Sequence, residues 1–198
     1  MVNASTHQMS LPPWLRVLVR VDFVAAVALT VLAPLVLLVG ALRAGRRGER
    51  VGLLRYWRAS SLLMVTVYLL AGERRVAFPA GVAARLLLAR TLRGVQASAG
   101  TRSGYERWRR LAGGYCLAGA ALTAPMLQGL LADELPALCR AYIEPTQEFT
   151  ALLHPGVSRE TLGRVGLVGL GLFLAGAAVE LAASAWGRSR RERDSDGW

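Results

Sequence analysis

Three long apolar runs divide the chain. Residues 23–42 and 111–131 contain no charged side chain, and residues 165–186 are interrupted only by Glu180. Because an α-helix rises about 1.5 Å per residue, about 20 residues cross the roughly 30 Å hydrocarbon core of a bilayer. The pattern therefore predicts an integral membrane protein with several spanning helices.

Two further apolar segments, residues 51–71 and 76–95, contain arginines and predict less regular spans. The arginines inside them are Arg55, Arg58, Arg85 and Arg90. An arginine at the centre of a span adds about 2.5–3.5 kcal/mol to the cost of insertion, so the second segment could instead lie flat as a basic amphipathic helix. We expect an all-α, polytopic transmembrane helical bundle of five spans, with four spans as the alternative.

The remaining segments are expected at the membrane surface or in water. Residues 1–20 are interpreted as a polar leader and a short interfacial segment, with a signal peptide as the alternative. Residues 21–187 form the bundle, in which Pro34 should bend the first span. In the last loop, a short interfacial helix is expected to end at Pro145. The charged tail at residues 188–198 is predicted to be disordered.

Arginine supplies all of the basic charge. The chain has 24 arginines and no lysine, and with 13 acidic residues its net charge is +11. In the five-span arrangement, 13 arginines fall on one side of the membrane and 7 on the other. The positive-inside rule then predicts an external N-terminus and a cytoplasmic C-terminus. We expect contact with the lipid bilayer, including anionic head groups, and no nucleic-acid binding, because no separable domain carries a basic and aromatic face.

Charged residues within or beside the spans are candidate site residues, because ionisable groups are costly inside a bilayer. They are Asp22, Arg55, Arg58, Arg85, Arg90 and Glu180. Glu180 is predicted to pair with Arg58 or Arg90, which lie at similar depth, before Arg85. Asp22 is predicted to cap the first span or to meet Arg20, with a coupling-ion ligand as the alternative. A structural pair that locks helices is favoured over a transport or proton-relay role.

Glycines in the last two long runs are candidate helix-packing positions. They are Gly113, Gly114, Gly166, Gly169 and Gly176. Helices associate in a bilayer through close packing, which glycine permits. Since the glycines cover more than one face of the fifth span, we expect one face to pack on the fourth span and another to contact a neighbouring protein.

The chain contains little of the chemistry that an enzyme needs. Its histidines and cysteines number two each, which is too few for a metal framework. His154 precedes Pro155 and Gly156 and is interpreted as a turn residue, with an axial ligand of a pigment or haem as the alternative. No catalytic Ser–His–Asp set, carboxylate pair or phosphate-binding glycine loop is recognisable. We expect no enzymatic activity, no metal and no cofactor.

Several short motifs occur in order along residues 21–187. They are Val21-Asp22, Tyr56-Trp57-Arg58-Ala59-Ser60, Ala84-Arg85, Tyr115-Cys116, Cys139-Arg140 and His154-Pro155-Gly156. In this order they resemble a family of cyanobacterial integral membrane proteins of unknown function. The resemblance implies a cyanobacterial plasma or thylakoid membrane and a continuous third span. It implies no activity, because none is known for the family.

The negative chemistry and the glycine-rich faces together favour an interaction role. We expect a non-enzymatic accessory, assembly or interaction factor of a membrane complex, with another membrane protein as partner. The alternative is a small transporter or channel that uses the intramembrane arginines and Glu180. A transporter should have a polar cavity converging on Arg85 and Glu180, and internal repeats are not apparent in the sequence.

Overall fold

The computed structural model describes residues 12–94 and 103–195, with side chains for residues 12–94 and 104–186. Both described ranges are helical, and the predicted all-α fold is confirmed. The elements are α1 (Pro13–Val27), a π-helical segment (Ala28–Leu32), α2 (Ala33–Arg43), α3 (Arg47–Ala71), α4 (Ala77–Gly94), α5 (Ser103–Thr123), a 3-10 segment (Ala124–Leu130), α6 (Ala137–Leu153) and α7 (Arg159–Ser195). The predicted polar leader falls largely on residues 1–11, which lie outside the described part.

The first helix is longer than predicted. α1, the π-helical segment and α2 follow one another without a break from Pro13 to Arg43. Pro13 is the first helical residue, where its missing N–H and fixed φ suit a helix start. Leu15 and Val19 are buried in the core. The predicted interfacial segment therefore forms the first turns of this helix, and its place at the membrane surface stays a prediction.

The π-helical segment lies directly before Pro34, where the sequence predicts a bend. Proline has no N–H and its ring excludes the usual bond to the carbonyl four residues earlier, here that of Thr30. Tyr56 donates its hydroxyl to this carbonyl at 2.7 Å, and the indole of Trp108 donates to the carbonyl of Leu29 at 2.8 Å. Side chains of α3 and α5 thus satisfy carbonyls at the irregular turn.

α3, α4 and α5 pack side by side, and α4 is the middle member. α4 has extensive contacts with both neighbours, and α7 packs along α3. Contacts between α4 and α5 join Leu92 to Gly113 and Arg85 to Gly119, so these helices are antiparallel. α4, for which a flat amphipathic helix was the alternative, is therefore a packed helix of the bundle.

α6 is longer and more buried than the short interfacial helix predicted from the sequence. It continues through Pro145 to Leu153, and Tyr142 and Ile143 are in the core. Arg16 and Arg20 of α1 pair with Glu144 and Glu148 of α6 at 3.9 and 2.9 Å. The predicted end at Pro145 is wrong because packing on α1 and α3 stabilises the helix beyond the proline.

α7 also differs from its predicted extent. Its helix reaches Ser195, so the described part of the tail, residues 188–195, is helical rather than disordered. Arginine and glutamate are good helix formers, and basic residues near a C-terminus complement the helix dipole. Residues 196–198 of the predicted disordered tail lie outside the described ranges.

Two helices are long and apolar enough to cross a membrane: Pro13–Arg43 and Arg159–Trp186. Only 11% and 6% of their most apolar 18-residue windows are buried in the protein, whereas a core helix of a water-soluble protein is mostly buried. α3, α4 and α5 are not apolar enough over a comparable length, since arginines interrupt their apolar stretches and α5 ends at Thr123. The helices therefore indicate a membrane protein.

The apolar core consists of two clusters along the bundle. Phe78 of α4 belongs to the first, which also contains parts of α1, α3 and α6. Leu88 of α4 belongs to the second, with Tyr56 and Trp108. Arg85 lies between these two positions on α4, so a charged side chain is placed between two apolar clusters.

Candidate functional site

A buried ion pair joins α1 and α4. Arg85 donates from Nη2 to Oδ2 of Asp22 at 2.5 Å and from Nη1 to Oδ1 at 3.3 Å. The two side chains are only 8% and 7% exposed. A guanidinium and a carboxylate match each other in this two-bond geometry, which orients both groups. The pair therefore fixes α1 against α4 at one point.

Two tyrosines complete the surroundings of Asp22. Tyr142 of α6 donates its hydroxyl to Oδ2 at 2.7 Å. The hydroxyl of Tyr115 in α5 lies 2.8 Å from both Oδ1 and the backbone carbonyl oxygen of Asp22. The guanidinium carbon of Arg85 also lies 5.5 Å from the centre of the Tyr115 ring, within cation–π range. Four helices thus meet at one neutral, hydrogen-bonded cluster, called here the Asp22 cluster: Asp22, Arg85, Tyr115 and Tyr142.

Gly119 of α5 makes room for the guanidinium. A Cβ atom built on Gly119 would collide with Nη1 of Arg85 and lie 2.7 Å from its Cζ, so the guanidinium would have to move to accept it. Gly119 itself is buried. Of the predicted packing glycines on the same helix, Gly113 would place a Cβ 3.8 Å from Leu92, and Gly114 faces open space.

The partner of Asp22 differs from both structural predictions. Asp22 does not cap a helix, because α1 begins nine residues earlier at Pro13, and Arg20 pairs with Glu148 instead. The pairing of Asp22 with Arg85 was not predicted from the sequence, and neither were Tyr115, Tyr142 and Gly119 as members of the site. A single acid and a single central arginine in separate apolar helices are a signal for pairing, because neither is stable alone in such surroundings.

A cavity of about 360 Å³ lies next to the Asp22 cluster. Its walls come from α1 and the π-helical segment on one side and α3 on the other, with α4, α6 and the start of the 3-10 segment behind. Asp22 and Arg85 form part of the lining, which is otherwise almost entirely apolar. The volume lies within the roughly 300–1,000 Å³ of ordinary ligand sites.

The serine and threonine hydroxyls around the cavity are already hydrogen-bonded within their own helices. Four threonines and two serines line it, and each donates to a carbonyl three or four residues earlier. They are Thr30, Thr66, Thr123, Thr146, Ser60 and Ser61. Because these donors are used, the cavity presents mainly methyl groups and aromatic rings.

A second ion pair has a different setting. Arg58 of α3 and Glu180 of α7 are in contact, and Arg58 is one of the two arginines, with Arg90, that the sequence predicts as the partner of Glu180. Their side chains are 65% and 51% exposed, and neither lines the cavity. Arg55 and Arg90, the other arginines predicted within spans, are exposed as well.

The glycines of α7 pack on a different helix from the one predicted. Gly166 and Gly169 lie against Leu69 and Val65 of α3, where a Cβ would approach their side chains to 2.9 and 2.8 Å. The predicted contact with the fourth span is wrong, since the neighbour of α7 is α3, which was predicted as the second span. Gly176 faces open space, as does Gly171.

His154 connects two helices instead of projecting into a site. It is the C-terminal cap of α6, and its Nε2 lies 2.8 Å from the hydroxyl of Tyr68 in α3. Cys116 and Cys139 are buried and unbridged. Among the described residues, no group of three or more His, Cys, Asp or Glu side chains is arranged to hold a metal ion. The Asp22 cluster can lock four helices together, and the cavity beside it can accommodate an apolar molecule.

Comparison with known proteins gives a family but no function. Residues 16–184 match a family described as a protein of unknown function (DUF3177). No curated protein and no solved structure matches the chain. The matched segment covers most of the chain, including the Asp22 cluster, the cavity and both ion pairs. The chain belongs to this family of proteins of unknown function.

Proposed function

We propose that this protein is a non-enzymatic integral membrane protein that assembles with another membrane protein through the open side of α7. In this arrangement α1–α2, α3, α4, α5 and α7 are the five spans, the N-terminus is outside and the C-terminus is cytoplasmic. The membrane is the plasma or thylakoid membrane of a cyanobacterium. The distribution of arginines supports the orientation, and the antiparallel packing of neighbouring helices supports the number of spans.

The exposed pair of Arg58 and Glu180 is the observation that carries the interaction role. Counted from Trp186 at the end of the apolar run, Glu180 lies about 9 Å inside it at helical rise. Ionisable side chains at such depth usually face a protein interior or a water-filled cavity, because lipid solvates them poorly. This pair is more than half exposed in the single chain. A neighbouring transmembrane helix with a polar side chain at that depth would cover it.

The second half of α7 provides the surface for such a helix. Gly163, Gly166 and Gly169 hold the first half against α3, whereas nothing lies within 4 Å of a Cβ at Gly171 or Gly176. Large apolar side chains beyond Gly171 are exposed, including Leu172 and Val179. A strip of small residues beside exposed leucines and valines is typical of a helix–helix interface in membranes.

Site-specific photocrosslinking in the native membrane tests this proposal. A photoreactive amino acid at position 176 should give a crosslink of defined mass to one protein. The same group at Gly114, a glycine of α5 that also faces open space, should label lipid only. Replacing Glu180 with Gln should reduce the crosslink from position 176 at least fivefold, because the polar contact at the pair is weakened.

Lipid adducts alone at position 176, or a crosslink that is insensitive to Glu180, would remove the interaction role. Orientation is tested by labelling single cysteines introduced at Ser5 and Ser195, in a chain with both native cysteines replaced. Labelling of both sites from the cytoplasmic side would favour four spans over five.

A small transporter or channel is the second candidate, and the cavity beside Arg85 favours it. Two features weigh against it: Glu180 is not part of the lining, and the serine and threonine hydroxyls of the lining are engaged within their own helices. Reconstitution into vesicles with a membrane potential tests this role. An ion flux that is blocked by Ala26→Phe, at a residue lining the cavity, in protein that still elutes as a folded monomer, and that is retained in Glu180→Gln, would make it the better account.

A further inference from the structure

We infer that the cavity between α1 and α3 is a binding site for a single hydrocarbon chain of a membrane lipid, which enters sideways from the bilayer. The site is independent of the proposed contact at α7. The cavity lining contains none of the residues that form or adjoin that contact, namely Arg58, Val65, Leu69 and Glu180.

The opening lies between the first long helix, α1 to α2, and α3. α2 packs on α3 beside the short turn that joins them, whereas α1 and α3 have little direct contact. α6 packs against both α1 and α3 at the other end and holds them apart. The result is a cleft that narrows toward the turn and is closed behind by α4.

The open side of this cleft faces hydrocarbon. One wall belongs to Pro13–Arg43, which is long and apolar enough to cross a membrane and is largely unburied in the protein. On the opposite wall, Met64 is 41% exposed and Ser61 is exposed. Lipid chains surround a spanning helix, so they are the molecules that meet this opening directly.

The chemistry of the lining selects an apolar occupant. The serine and threonine hydroxyls of the lining already donate within their own helices, the Tyr142 hydroxyl donates to Asp22, and the charge of Arg85 is neutralised by Asp22. A polar ligand would lose its hydration and meet few available donors, among them the unpaired indole Nε1–H of Trp57, whereas a cavity with a mainly apolar lining accepts an apolar molecule. Phe78 and Met126 form part of the inner wall.

A photoreactive lipid tests the site with the full-length protein in bilayer nanodiscs. The probe is phosphatidylglycerol with a diazirine near the end of one acyl chain, and a second sample contains a diazirine-bearing farnesyl compound. Phe78 and Met126 are only 3% and 4% exposed, so a probe can label them only from within the cavity. We expect peptides with these residues to be labelled by one or both probes, and the stronger label identifies an acyl or an isoprenoid chain.

Matched substitutions on one helical stretch separate the cavity from its surroundings. Ala26 lines the cavity, whereas Ala28 is exposed and does not. Ala26→Phe should reduce labelling of Phe78 and Met126 at least tenfold, and Ala28→Phe should leave it unchanged. Labelling of Leu172, on the open side of α7, serves as the internal standard. If Ala26→Phe does not elute as a folded monomer, Val31→Phe at another lining position takes its place.

Two results would overturn the inference. The first is no label above background on Phe78 and Met126 from either probe while Leu172 is labelled. The second is unchanged labelling of these inner residues in a folded chain whose cavity is filled by phenylalanine.

Discussion

The two arginine–carboxylate pairs of this protein have the same chemistry and opposite surroundings. Asp22 and Arg85 are almost completely buried, whereas Arg58 and Glu180 are more than half exposed. The first pair has two tyrosines bound to its carboxylate and a glycine that fits the guanidinium. The structure shows no comparable support for the second among the described residues. The first pair is therefore built into the fold, while the second is available for a contact outside the chain.

The largest effect is expected from Asp22→Asn. It removes the charge that balances Arg85 while keeping the size of the side chain. Removing one partner of a buried pair costs about 3–5 kcal/mol, because the remaining charge has no partner. We expect loss of monodisperse protein, or a sharply lower unfolding temperature in mild detergent, measured by fluorescence-detected size exclusion. An unfolding temperature equal to that of Glu180→Gln would contradict the distinction between the two pairs.

Gly119→Ala tests the close fit at the buried pair without touching a charge. The added methyl group collides with the guanidinium of Arg85, which cannot move away without losing Asp22. Overpacking of a core costs typically about 1–3 kcal/mol, and we expect the upper end of that range.

The control for this substitution is Gly114→Ala on the same helix, where a Cβ faces open space. Alanine is a better helix former than glycine by up to about 1 kcal/mol, so this variant should be as stable as the native chain or slightly more so. Equal loss in thermal stability for both variants would show that Gly119 serves α5 in general and not Arg85.

Tyr142→Phe should have the next smaller effect. It removes one hydrogen bond to the buried carboxylate, and bonds to charged groups contribute about 1.5–3 kcal/mol. Tyr115 still bonds Asp22, so we expect a loss near 1.5 kcal/mol in detergent unfolding. Tyr68→Phe is the control. It also removes one tyrosine hydrogen bond between two helices, here from α3 to His154 at the end of α6, but this bond does not involve a carboxylate. A larger loss for Tyr68→Phe would place the stability of α6 at its C-terminal end instead of at Asp22.

The sequence predicted the helices well because each depends on a local pattern. α4, expected at residues 76–95, covers Ala77–Gly94, and the end of α3 at Ala71 agrees with the prediction. Helix ends were harder to predict where packing overrides a local signal. Pro145 should end α6 by its own chemistry, but buried residues on both sides of it stabilise a continuous helix.

Partners across the bundle could not be read in the same way. Asp22 lies 63 positions from Arg85 and 120 from Tyr142, and apolar periodicity does not determine how distant helices are rotated toward one another. Depth along the predicted spans limited the partner of Glu180 to Arg58 or Arg90, and the structure brings Arg58 to it. Depth could not identify α3 rather than α5 as the neighbour of α7, since glycine permits close packing on either.

The smallest effect on stability, and the sharpest test of the exposed pair, is expected from Glu180→Gln. Exposed ion pairs contribute about 0–1 kcal/mol, so the isolated monomer should unfold within a few degrees of the native chain. The effect on association should be larger. A partner helix would cover the pair, so the loss of the Glu180 charge would weaken the contact with that helix. Unfolding temperature in detergent and the yield of the crosslink from position 176 are therefore measured on the same preparation. A fall in crosslink yield with unchanged unfolding temperature supports a contact outside the chain. A fall in unfolding temperature as large as that of Asp22→Asn would instead make Arg58 and Glu180 a second internal lock, and α7 would then be held to α3 by charge as well as by its glycines.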